Sequence, residues 1–177
     1  MATQKNSATN CLIMIGMAGA GKSTIGRELA SLLNWSFIDS DRLIEEKQQA
    51  DLQHIVDSMG RRDFLDLEAE VIQSLNCVNC VIATGGSVVY RPAAIMHLKE
   101  LGPLIYIDVS LALIIERIKR QPDRGLALLP GQKVEDLYNE RHLLYEQAAD
   151  ITISGGEAPA ATYARQIAVN CGLLKAG

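Results

Sequence analysis

Apolar positions in this chain fall into short blocks separated by helical periods. Residues 11–16 (CLIMIG), 77–84 (CVNCVIAT) and 104–109 (LIYIDV) are nearly continuous apolar runs, the pattern of strands buried on both faces. Shorter runs at 37–39 and 151–153 predict two further strands. Between the strands, apolar residues recur every three or four positions, which predicts helices over 22–33, 42–48, 60–75, 92–101, 111–120, 134–149 and 159–171. Segment 121–132 (QPDRGLALLPGQ) has Pro, Gly and no period, and reads as a loop. The β-α alternation predicts an α/β fold with a five-stranded parallel sheet and helices on both faces. Its ligands are expected beyond the carboxyl ends of the strands. The most polar or glycine-rich junctions, 16–23, 39–41 and 84–87, fall there. No repeat or long linker divides the chain, so residues 1–177 read as one domain, with the polar stretch 1–10 as a flexible leader.

Composition narrows the class of partner. The net charge of −4 offers no broad basic field for nucleic acid or anionic lipid. No apolar run approaches the roughly 20 residues that span a bilayer, and the first ten residues have no signal-peptide core. Cys77 and Cys80 (CVNC) invite a metal or redox reading, but no second pair stands at ligand spacing. They read as reduced thiols beside a buried strand. The expectation is a cytoplasmic protein, monomeric, with a small-molecule partner and neither nucleic acid nor membrane.

The chemistry concentrates at 16–23, GMAGAGKS, which fits G-x-x-x-x-G-K-[ST] at every specified position. Such a loop turns backbone N–H groups inward and adds the positive end of the following helix. Ala18, Gly19, Ala20, Gly21, Lys22, Ser23 and Thr24 are therefore the expected cradle for ATP. Lys22 would reach the β- and γ-phosphates and the Ser23 hydroxyl would ligand Mg²⁺. The chain has no N-K-x-D guanine motif and is short for a motor ATPase. A small chain with a loop-like segment late in the sequence favours transfer of a phosphoryl group to a small molecule.

The other motifs resemble those of the shikimate kinases. GMAGAGKSTIGRELA, FIDSDRLIE, ATGGSVV, DRGLALL and RHLLYEQAAD follow in that family's order, from about residue 10 to 167. The resemblance implies a P-loop NTPase three-layer sandwich with a lid loop at 121–132 and an acceptor-binding helical region at 40–76. It implies that Asp39 helps hold Mg²⁺ through water. Asp41 would bond the acceptor's ring hydroxyls and take a proton from the attacking one. Gly85 and Gly86 would offer backbone N–H groups to the acceptor, and Arg141 would pair with its carboxylate. Arg124 in the lid would reach the transferring phosphate. Arg117 would lie against the adenine, with the loop near Pro159 closing its other side.

Departures cluster on the acceptor side. In MGRRDFLDLE, residues 59–68, the family's arginine for the shikimate carboxylate is Leu65, and the glutamate four residues before it is Arg61. Ser87 replaces the third glycine of a G-G-G run, and Leu143 replaces a proline. A hydrogen bond to a charged group is worth about 1.5–3 kcal/mol, roughly ten- to 150-fold in affinity. Arg61 and Arg62, one turn before Leu65, can compensate from nearly the same helix face. Otherwise the acceptor is a different small hydroxylated metabolite. A nucleotide-binding regulatory protein and a nucleoside monophosphate kinase are further alternatives.

Overall fold

A computed structural model describes residues 11–120, 126, 128–129 and 131–175. Among these residues the sheet is parallel, in the order β2-β3-β1-β4-β5. The strands are β1 (Cys11–Ile15), β2 (Ser36–Asp39), β3 (Cys80–Ala83), β4 (Leu104–Asp108) and β5 (Ile151–Ser154). Every residue of β1 and β3 is buried, whereas the edge strands β2 and β5 are partly exposed. That gradient explains why the inner strands read as unbroken apolar runs and the edges as fragments. β1 sits between β3 and β4, so chain direction through the sheet reverses beside it. The crevice of such a fold opens at that point.

Helices α1 (Lys22–Leu33) and α7 (Ala160–Asn170) pack together, as do α3 (Leu52–Gln73) and α4 (Pro92–Leu101). The remaining helices are α2 (Ser40–Gln48), α5 (Leu111–Arg120) and α6 (Val134–Ala148), and a 3₁₀ turn covers Val88–Tyr90. One apolar core runs through the sheet. A second, smaller cluster of Ile44, Ile55, Val56, Phe64, Leu67 and Val71 joins α2 to α3. The helical region at 40–76 therefore carries its own packing.

Three elements start two or more residues away from where the periodicity puts them. β3 begins at Cys80 rather than at 77, because Asn79 turns into left-handed backbone at φ 51°. α2 begins two residues earlier than expected, since Asp39 caps it by accepting the Asp41 N–H at 3.2 Å. Helix α3 extends back to Leu52, through a kink at Gly60 (φ 77°, ψ 163°). Its half before the kink carries Ile55 and Val56 inward, an apolar pair too short to show a period. Cys11 and Cys80 are buried partners across β1 and β3, and Cys11 Sγ lies 3.8 Å from Cys77 Sγ with both thiols free. No helix among the described residues is long and apolar enough to cross a membrane.

Candidate active site

Strand β1 delivers the chain into the glycine loop, and α1 takes it away at Lys22. Gly16, Gly19 and Gly21 all adopt positive φ (141°, 84° and 98°), which only glycine does without strain. Lys22 is buried and folds back over the loop, donating to the carbonyls of Gly16 at 2.7 Å and Met17 at 2.8 Å. Its ammonium is thus held at the centre of the cradle. Ala18 is half-buried and Thr24 is exposed at the start of α1. Ser23 Oγ donates to Asp39 Oδ2 at 2.7 Å, so the end of β2 and the start of α1 bring a hydroxyl and a carboxylate oxygen together. Such hard oxygen donors fit Mg²⁺, which binds few protein groups and keeps its waters.

Beside the loop lies a cavity of about 320 Å³, lined by Gly19, Gly21, Thr24, Arg117, Gly156 and Tyr163 among others. Arg117 ties its walls together. Its Nη1 donates to the carbonyls of Gly19 at 3.0 Å and Ala20 at 3.3 Å, and its Nη2 to that of Gly156 at 2.6 Å. Pro159 caps α7 between Ala158 and Ala160, both of which face the same cavity. The residues expected to hold a nucleotide are therefore brought together.

A second group of side chains gathers at the ends of β2 and β3. Arg141 lies on the buried stripe of α6, with Leu137 and Tyr145. It is 2 % exposed, and its Nη2 has no partner. Nε donates to the Tyr90 hydroxyl at 3.2 Å. Burial alone would lower its pKa, but Tyr145, Tyr90 and Glu68 together hold it above its ordinary value, so it stays a cation. Tyr145 donates to the Gly86 carbonyl at 2.5 Å. A Cβ at Gly86 would lie 2.9 Å from Arg141 Nη1; at Gly85 one would lie 2.6 Å from Asp41 Oδ1 and collide with Glu68 Oε1. The two glycines thus let one cation and two carboxylates close around a bare stretch of backbone.

Glu68 was not among the expected site residues. It is buried, with Oε2 accepting from Ser87 Oγ at 2.7 Å and Oε1 without a partner. Burial and then the Asp41 carboxylate push its pKa up to about 7, against the opposing pull of Ser87, Arg141 and Lys22. Ser87 occupies the departure from the glycine run, and it meets the carboxylate one turn beyond Leu65. The signal for Glu68 was its place within the buried run Phe64, Leu65, Leu67, Glu68, Val71 of α3. Ser40 and Tyr90 also went unseen, because each acts through a neighbour.

Two expectations are revised. The Gly85 N–H is donated to Ser40 Oγ at 3.0 Å instead of being turned to an acceptor. Arg62 is exposed, and its carbonyl accepts from Arg91 at 3.4 Å, so its side chain does not join the group. Arg61 does approach it, with its guanidinium 4.8 Å from the Tyr90 ring centre and 3.2 Å from Glu140 Oε1. Arg124 lies outside the described residues, as does most of 121–130.

Relatives carry the same arrangement of elements. The sequence model described as Shikimate kinase matches residues 18–171. A shikimate kinase of Haemophilus influenzae is 39 % identical over 160 residues, covering 88 % of this chain and 89 % of that protein. Shikimate kinase 1 of Escherichia coli is 38 % identical over 160 residues, covering 88 % and 92 %. Among solved structures, the shikimate kinase of Acinetobacter baumannii in complex with shikimate aligns with a TM-score of 0.86 at 32 % identity, covering 96 % of each chain. The Aquifex aeolicus shikimate kinase gives 0.79 at 30 % identity, covering 92 % and 96 %. A phosphate loop, an Asp pair at the junction of β2 and α2 and a buried arginine beside a Gly-Gly turn thus meet in a chain whose relatives match nearly end to end, and the chain belongs to the shikimate kinase family.

Proposed function

We propose that this family member transfers the γ-phosphoryl group of ATP to a ring hydroxyl of shikimate, giving shikimate 3-phosphate. The family uses ATP with Mg²⁺. Residues 18–24 hold the triphosphate with their N–H groups, and the Lys22 ammonium stands beside its terminal phosphates. Ser23 and Asp39 hold the cation, Asp39 through water. Bound Mg²⁺ supplies charge neutralisation to the phosphate oxygens, the chief requirement of phosphoryl transfer. Arg117 and the loop at Pro159 enclose the adenine. Asp41 fixes the acceptor hydroxyl and takes its proton as the new O–P bond forms. Arg124 adds positive charge when the lid at 121–132 closes and excludes water. Gly86 lets the acceptor approach the backbone, and Gly85 shapes the opposite wall.

The observation that carries the reading is Arg141. A buried guanidinium with an unpartnered Nη2 is costly unless an anion completes it. It stands beside Gly86, and Asp41 stands beside the adjoining Gly85. A hydroxylated carboxylate satisfies both. The reading carries with it a cytoplasmic monomer that acts on a small molecule and takes neither nucleic acid nor membrane as partner, in line with a net charge of −4. It is tested by ADP release against a panel of hydroxy acids that includes shikimate. Shikimate is expected to stimulate turnover most. Turnover with shikimate no faster than with buffer, or faster with another hydroxylated metabolite, would assign a different acceptor, as buried Leu65 favours.

A further inference from the structure

Arg61 opens the half of α3 that follows the Gly60 kink. Its side chain is only 18 % exposed, and it lies 4.8 Å from the Tyr90 ring centre, paired with Glu140 Oε1 at 3.2 Å. Arg141 reaches the same ring, with its Cζ 5.2 Å from the centre and its Nε on the hydroxyl. Two guanidiniums therefore share one aromatic side chain, immediately after the Gly85-Gly86-Ser87 turn. One is buried and incomplete. The other is held by Glu140, the residue next to Arg141 in the chain.

A carboxylate has two oxygens and about four lone-pair sites, and Arg141, whose Nε is already on Tyr90, fills only part of them. Position 65 contributes no donor. Arg61 precedes it by four residues, one helical turn and about 6 Å along the axis, on the same face. Surface ion pairs such as Arg61–Glu140 are weakly held. Glu140 also accepts from Gln132 Nε2 at 3.1 Å, so it keeps a partner if Arg61 leaves. We infer that Arg61 is the second cation of the acceptor site. It keeps its seat over Tyr90 and exchanges the Glu140 carboxylate for that of the acceptor. A guanidinium from one turn earlier thus replaces the one that Leu65 removed. This assignment rests on the shikimate reading above.

The test is steady-state kinetics of Arg61→Ala and of Arg61→Ala/Leu65→Arg, each with shikimate and with its carboxamide analogue. Arg61→Ala is expected to raise KM for shikimate roughly tenfold or more, with KM for ATP unchanged and kcat within a few-fold. Leu65→Arg in that background is expected to restore most of the loss. With the carboxamide, which has no charge to pair and only a carbonyl to accept, Arg61→Ala is expected to change KM by much less. An unchanged KM for shikimate in Arg61→Ala, or an equal loss with the carboxamide, would overturn the assignment while leaving the acceptor reading intact. A parent protein that fails to use shikimate overturns both.

Discussion

Glu68 shows how much a single buried carboxylate can report. Its pKa of about 7 stands above the ordinary 4.5, because burial and then Asp41 disfavour its charge. The folded state therefore holds a proton that the unfolded chain has already released between these two values. The sign follows: the contribution of Glu68 to stability is fullest below about pH 4.5 and is lost as pH rises to about 7, by about 3 kcal/mol in all. Glu68→Gln removes that pH dependence. Denaturant unfolding from pH 5 to 8 is expected to show the variant gaining on the parent as pH rises, and parallel profiles would contradict it. Lys22 makes the complementary case. Lys22→Ala is expected to keep its circular dichroism spectrum and lose about 100-fold or more in kcat; unchanged turnover would remove the lysine from the reaction. Lys22 was legible because its motif fixes the spacing of every neighbour. Arg141 was readable only in part, since a charged residue beside Glu140 resembles a surface pair. Its burial follows from sharing a stripe with Leu137 and Tyr145, a clue that periodicity contains and charge conceals.

Among the elements, α3 carries most of what distinguishes this chain. Gly60 sits at φ 77° and ψ 163°, a region nearly reserved for glycine, with nothing within 4 Å of a Cβ placed there. The cost of Gly60→Ala is then backbone strain alone, about 1–3 kcal/mol. The variant is expected to unfold at lower denaturant and to bind acceptor more weakly, because the kink sets where Arg61 stands. Full stability in Gly60→Ala would show that α3 can straighten freely. Arg117 plays a similar part beside the cavity proposed for the nucleotide, bonded to Gly19, Ala20 and Gly156 across two loops. Arg117→Ala is expected to raise KM for ATP about tenfold and leave KM for shikimate unchanged. Equal changes in both constants would show a general loosening instead. Helix and strand positions were nearly all visible in the sequence. The kink was not, since a glycine inside a helical period has several possible meanings.

At the scale of the molecule, the sheet order places the ends of β1, β2 and β3 side by side, so a phosphate loop, an Asp pair and a Gly-Gly turn converge without long loops. Sequence patterning conveyed this because α/β alternation leaves few arrangements. It conveyed the proposed acceptor side less well, where Leu65, Ser87, Glu68 and Arg61 are placed by tertiary contact. Both sides meet in the claim that a phosphoryl group passes from the Lys22 cradle to an alcohol beside Asp41. ATP labelled in its γ-phosphoryl group, incubated with the protein, Mg²⁺ and shikimate, follows that passage directly. Label recovered in a shikimate phosphate ester is the predicted result. Label that stays in ATP, or appears only as inorganic phosphate, would contradict it.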